Sequence, residues 1–371
     1  MKHRLFLALV VLVWVPFLIM FRVSSTASVP ALSPAPAADM SGTSLRSLAQ
    51  KRGIGIGAAV ELGPFYSDSN YRKVLAREFN ILVPENDLKF ELLHPTPDGY
   101  NFSQVEPLFA FAKAHNMRVR GSPLVWHYAL PPWLEEGKFT RDQWLAILRE
   151  YIQTVVGRYR GQVIAWDVLN EAVNRDGSLR DTLWLRHIGP EYIDLAFRWA
   201  HEADPQARLF YSDYAAEDLG QKSNAIYTLV TGLVQRGVPI NGVGFQTHII
   251  LTDPLLLEAR AKNINRLGEL GLEVQFTEVD VRIQDRTRRR EDLFAEQARI
   301  YGDIFQLCQR AQNCTAFITW GFTDRYSWAE GLTGQPEFPL LFDESYHPKP
   351  AYNTIKEALS KSQERNENSG R

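Results

Sequence analysis

The chain has 371 residues, 45% of them hydrophobic and 23% charged, enough to bury one large core or two ordinary ones. Forty-one Lys and Arg against 43 Asp and Glu leave a net charge of −2, which excludes the strongly basic footprint of a nucleic-acid-binding domain. The one basic run, Arg286 to Arg290, is flanked by Asp285 and Glu291 and reads as a solvated loop.

Lys2 and Arg4 precede an apolar run, Leu5 to Phe21, interrupted only by Pro16. Its length falls between the ~7–15 residues of a signal-peptide core and the ~17–25 of a spanning helix. Ser25-Thr26-Ala27 offers small residues for cleavage. Residues 1–23 therefore read as a signal peptide or as an uncleaved anchor, a membrane tether through residues 5–21. Either sends the rest of the chain out of the cytoplasm, to be secreted, periplasmic or anchored facing outside. Residues 24–45 are rich in Pro, Ala and Ser and read as a linker. Residues 46–360 show no internal linker and no short repeat, so they form one domain, expected as a monomer. Residues 361–371 read as a disordered tail.

Within that domain, apolar and β-branched segments alternate with amphipathic ones. The expected strands are 54–60, 80–84, 118–125, 163–169, 208–212, 242–246, 273–277 and 316–320. Helical stretches such as 143–159, 190–203 and 293–309 lie between most of them. Eight strands alternating with helices predict an α/β fold, a (β/α)8 barrel with a single catalytic domain. A doubly wound sheet is the alternative, but Gly53, Gly55 and Gly57 do not follow the first strand and open no helix, as a phosphate-binding turn there requires. Cys308 and Cys314 lie near the end of the helix before the last strand and in the turn leading into that strand. In an exported chain they are expected to pair, with two free thiols as the alternative. No C-x-x-C or H-E-x-x-H pattern is present, so neither a metal site nor a cofactor is expected.

Polar and aromatic residues gather where these strands end. The second runs into Glu85, Asn86 and Lys89, the third into Trp126-His127, and the fourth into Asn170-Glu171. The fifth runs into Asp213-Tyr214, the sixth into Gln246-Thr247-His248, the seventh into Glu278-Val279-Asp280, and the eighth into Trp320, followed by Trp328. In a barrel all these ends share one face, where active sites are built. Glu171 and Glu278 follow strands on opposite sides of that mouth, and each ends an apolar segment where a lone buried charge is costly. Two facing carboxylates suit glycoside cleavage, one protonating the leaving oxygen while the other attacks the anomeric carbon or activates water. A separation of about 5–5.5 Å goes with retention and about 6.5–9.5 Å with inversion, so this reading alone leaves both open.

The motifs Trp166–Ala172 (WDVLNEA), Phe276–Val281 (FTEVDV), Gly244–Ile249 (GFQTHI), Phe79–Phe90 (FNILVPENDLKF) and Thr319–Trp328 (TWGFTDRYSW) resemble those of glycoside hydrolase family 10, the endo-β-1,4-xylanases, across about residues 46–360. The resemblance implies retaining hydrolysis of xylan through a covalent glycosyl-enzyme. It carries over Glu171 as the proton donor, Glu278 as the nucleophile, and Gln246 and His248 as neighbours of the nucleophile. Asp280 would orient His248, and Asn170 would bind the 2-hydroxyl of the reacting sugar. Glu85, Asn86, Lys89 and Tyr214 would bind sugar, and Trp320 and Trp328 would line the site. Trp126 is a pocket wall or core. The family also has a disulfide at the spacing of Cys308 and Cys314.

Ser122, Ala129, Ser212 and Ala215 depart from the family pattern, standing where a His, a Gln and two Asn are expected. Ala129 would remove bulk beside the place of a hexose hydroxymethyl group, implying better tolerance of a hexose or a decorated xylose. Two other readings stay open: a retaining hydrolase of another β-1,4-glycan, and a non-catalytic, membrane-tethered glycan-binding barrel.

Overall fold

The structure is a computed structural model that describes residues 42–368, so the expectations for residues 1–23 and most of 24–45 fall outside it. Its strands are β1 (Gly55–Val60), β2 (Ile81–Pro84), β3 (Arg118–Gly121), β4 (Val163–Asn170), β5 (Arg208–Asp213), β6 (Gly242–Phe245), β7 (His248–Ile250), β8 (Glu273–Arg282) and β9 (Cys314–Thr319). All pairings between them are parallel. β1 pairs with β9 and β6 with β8, so the sheet closes into a (β/α)8 barrel with helices between the strands.

β7 is not a ninth stave. It continues β6 past Thr247, whose φ of +65° breaks the ladder, and pairs with the far end of β8, His248 opposite Asp280. That extension makes β8 twice as long as the sequence suggests. β3 is shorter than expected, because Pro123 has no N–H to continue a ladder, and only an isolated bridge, Val125 to Leu169, extends it. The strands are buried on both faces, as a parallel sheet under helices requires. At β3 a glycine is needed: a Cβ on Gly121 would lie 2.1 Å from the Trp166 ring on the next strand.

The helices over 141–158, 192–203 and 290–310 cover the sheet. The first starts in a capping box, where the Thr140 hydroxyl accepts from the Gln143 N–H and the Gln143 side chain accepts from the Thr140 N–H. The last helix runs from Pro350 to Asn368, through residues expected to be a disordered tail. Residues 354–368 are rich in helix formers, and the Glu357–Lys361 pair one turn apart supports them. Cys308 and Cys314 form a disulfide from the end of the preceding helix to the first residue of β9.

One feature of the interior was not legible in the sequence. Arg120 on β3 makes a two-pronged ion pair with Asp167 on β4, and its Nε donates across the barrel to Gln275 Oε1 on β8 (2.9 Å). Both charged groups are buried, so the barrel is filled partly by a closed polar cluster.

Candidate active site

The mouth at the carboxyl-terminal ends of the strands holds a cleft of about 730 Å3. Ten of the residues singled out from the sequence line it: Lys89, Trp126, Asn170, Glu171, Tyr214, Gln246, His248, Glu278, Trp320 and Trp328. Glu85, Asn86 and Asp280 are not part of this lining. The Asn86 amide oxygen accepts from Lys89 Nζ (2.5 Å) and so aims the ammonium, which also lies 5.5 Å from the Trp126 ring centre. Burial, and then the charge of Glu61, push Glu85 up to about 7.

Glu278 is held from the side. His248 Nε2 lies 3.2 Å from its carboxylate, and His248 Nδ1 lies 2.7 Å from Asp280. Trp328 Nε1 donates to the same Asp280 oxygen (2.8 Å). Burial disfavours a charged His248, but Asp280 and Glu278 outweigh it and push the imidazole up to about 10. An imidazolium therefore sits between two carboxylates. Burial raises Glu278, and the His248 charge opposes that rise. The arrangement gives the Glu278 carboxylate one fixed partner and leaves its open side toward the cleft.

Glu171 is held differently. Its φ is +54°, and its N–H donates to the Ser212 carbonyl (2.9 Å). Gln246 Nε2 donates to its carboxylate (3.0 Å). Gln246 was expected beside the nucleophile; its hydrogen bond is to the Glu171 carboxylate across the same cleft. Gln246 and His248 lie on either side of Thr247, whose left-handed turn sends the two side chains to different partners. The Asn170 amide has complementary partners with its oxygen toward Trp126 Nε1 (3.2 Å) and its nitrogen toward the Ser212 carbonyl (3.1 Å). Beside these, a Lys222–Asp213 ion pair (2.6 Å) is buried, and burial pushes Asp213 up to about 6 against the pull of Lys222. Burial, and then Arg180, push His127 down to about 4, leaving it neutral.

Non-glycine residues with positive φ recur around this mouth: Ala129 after β3, Glu171 after β4, Ala215 after β5 and Thr247 after β6. Such backbone strain concentrates at working sites. Of the residues that depart from the family pattern, Ala215 lines the cleft. Ser122 is buried and donates to the Pro84 carbonyl, so its hydroxyl is not offered to a ligand. Ser212 is fully buried, and its carbonyl serves Glu171.

The far half of the cleft, lined by Arg175, Glu217, Asp218, Asp253–Leu256, Arg260 and Arg282, was not legible in the sequence. Apart from Arg282, which ends β8, these residues lie on loops and a helix start rather than at strand ends, so the strand-end signal could not find them. The glycosyl hydrolase family 10 model matches residues 44–358. Endo-1,4-beta-xylanase B of Thermotoga neapolitana is 42% identical over 318 residues, covering 85% of this chain and 91% of that one. The crystal structure of native xylanase 10B from Thermotoga maritima matches with a TM-score of 0.84 at 42% identity, covering 87% of this chain and 99% of the other. Xylanase 10B from Thermotoga petrophila RKU-1, solved in complex with xylobiose, matches with a TM-score of 0.84 at 42% identity, covering 88% and 99%.

Proposed function

This chain belongs to glycosyl hydrolase family 10, and from that premise we infer that it is an endo-1,4-β-xylanase that cleaves internal bonds of xylan with retention of configuration. The observation that carries the reading is one cleft lined by two glutamates with unlike surroundings, Glu278 against a charged His248 and Glu171 against a neutral amide. Unlike environments are how paired carboxyl groups come to take different roles.

In the first step a Glu278 oxygen bonds to the anomeric carbon as the bond to the leaving oxygen breaks, and the Glu171 proton passes to that oxygen. In the second, water gives a proton to Glu171 while its oxygen bonds to the anomeric carbon, freeing Glu278. Lys89, Asn170 and Trp126 face the sugar being cleaved, and Trp320 and Trp328 give flat apolar walls for pyranose faces. The family's retaining chemistry makes the β-anomer the first product. NMR of xylotetraose hydrolysis should show that anomer before mutarotation, and an α-anomer would refute retention.

Two finer readings accompany this one. Ala129 supports tolerance of a hexose, measured as the rate on an aryl cellobioside relative to an aryl xylobioside. A ratio unmoved by Ala129→Gln would count against it. The charged start and the apolar run 5–21 support export, either cleaved or anchored. Amino-terminal sequencing of the mature protein distinguishes the two.

A further inference from the structure

Glu171 is a non-glycine residue in left-handed backbone, and such strain persists only where neighbours over-determine it. Its N–H is fixed by the Ser212 carbonyl. Its own carbonyl accepts from Arg180 Nε at 2.8 Å. The same guanidinium donates through Nη2 to the Tyr214 hydroxyl at 3.1 Å, and Tyr214 is part of the cleft wall. The Arg180 N–H donates to the carbonyl of Ala172, the next residue along (2.7 Å).

Arg180 reaches this place because the chain after Ala172 folds back on itself. Val173 and Leu179 form an antiparallel bridge, the Asn174 and Ser178 backbones pair at 2.8 Å, and Gly177 turns with φ of +81°. Among the described residues Arg180 has no carboxylate within ion-pair distance. Its planar fork is spent on a strained carbonyl and a phenol instead.

We propose that Arg180 is a positioning residue for the proton donor: it clamps the Glu171 peptide to the cleft wall so that the carboxyl meets the leaving oxygen. Lysine, with a single point of donation, cannot span the carbonyl and the phenol together as the guanidinium does. The proposal rests on the reading of Glu171 as the acid.

The test compares two substrates in the full chain. Xylotetraose has a sugar leaving group that needs the proton, whereas 2,4-dinitrophenyl β-xylobioside releases a phenolate that does not. Arg180→Met should lower kcat/KM on xylotetraose by ~10–100-fold, the scale of a small misplacement of a catalytic group, and by less than about threefold on the dinitrophenyl substrate. Arg180→Lys, the conservative variant should the Met variant not fold, and Tyr214→Phe, which removes only the hydroxyl, should show the same split more weakly. Equal losses on both substrates, or a rise in KM with kcat unchanged, would overturn the proposal. Glu171→Ala separates the two readings: it must show the split for Glu171 to be the acid. A split there without one in the Arg180 variants would leave the acid assignment standing and defeat the clamp.

Discussion

Two buried charge clusters use the same chemistry to different ends. Inside the barrel, Arg120 is enclosed by Asp167 and Gln275, and nothing in that cluster faces solvent. At the mouth, His248 bridges Asp280 and Glu278, but Glu278 also lines the cleft. The first is a closed unit that holds β3, β4 and β8 together. The second is the same kind of unit left open on one side, so that its exposed carboxylate can react. A buried charge serves stability when all its partners are protein, and chemistry when one partner is left for substrate.

Breaking the open cluster at its reactive member should have the largest effect. Glu278→Ala is expected to lower kcat on xylan by ~10^4-fold or more, with thermal midpoint unchanged or raised, because the carboxylate contributes reaction rather than packing. The closed cluster should behave in the opposite way. Arg120→Met leaves Asp167 buried without its cation and is expected to cost ~3–5 kcal/mol in denaturant unfolding, with kcat per folded molecule preserved.

His248→Asn sharpens the contrast. Loss of the cation removes what opposes the upward shift of Glu278, so the acid limb of the kcat/KM profile should move to higher pH, with a loss of ~10–100-fold near neutrality. The sign for stability is separate. His248 has a folded pKa raised to about 10, so its contribution is fully present below the unfolded value of ~6.5 and fades as pH rises through about 10. The parent should therefore lose stability between those limits, and His248→Asn should lose less there. The smallest effect is expected at the other end of the barrel, where Cys308→Ser with Cys314→Ser should cost ~2 kcal/mol for so short a loop and leave rates unchanged.

The (β/α)8 barrel could be read from alternation alone, because each stave is an apolar segment and polar residues cluster at one set of ends. Glu171, Glu278 and His248 were legible for the same reason. What could not be read are features set by backbone turns and by contacts across the barrel. Thr247 splits β6 from β7 and turns Gln246 to Glu171, and no composition signal marks that turn. Arg120 and Asp167 look like polar interruptions of strands until β3, β4 and β8 are brought together. Arg180 lies nine residues past Glu171, at the end of a loop whose fold-back only the structure shows.

The most direct test of the account is to trap the covalent intermediate. A 2-deoxy-2-fluoro-β-xylobioside with a dinitrophenyl leaving group slows the second step more than the first, and peptide mass spectrometry then locates the sugar. The account predicts one fluoroxylobiosyl group per chain, on the peptide carrying Glu278, and none in Glu278→Ala. Labelling of Glu171, or rapid turnover with no labelled chain at any time, would contradict it.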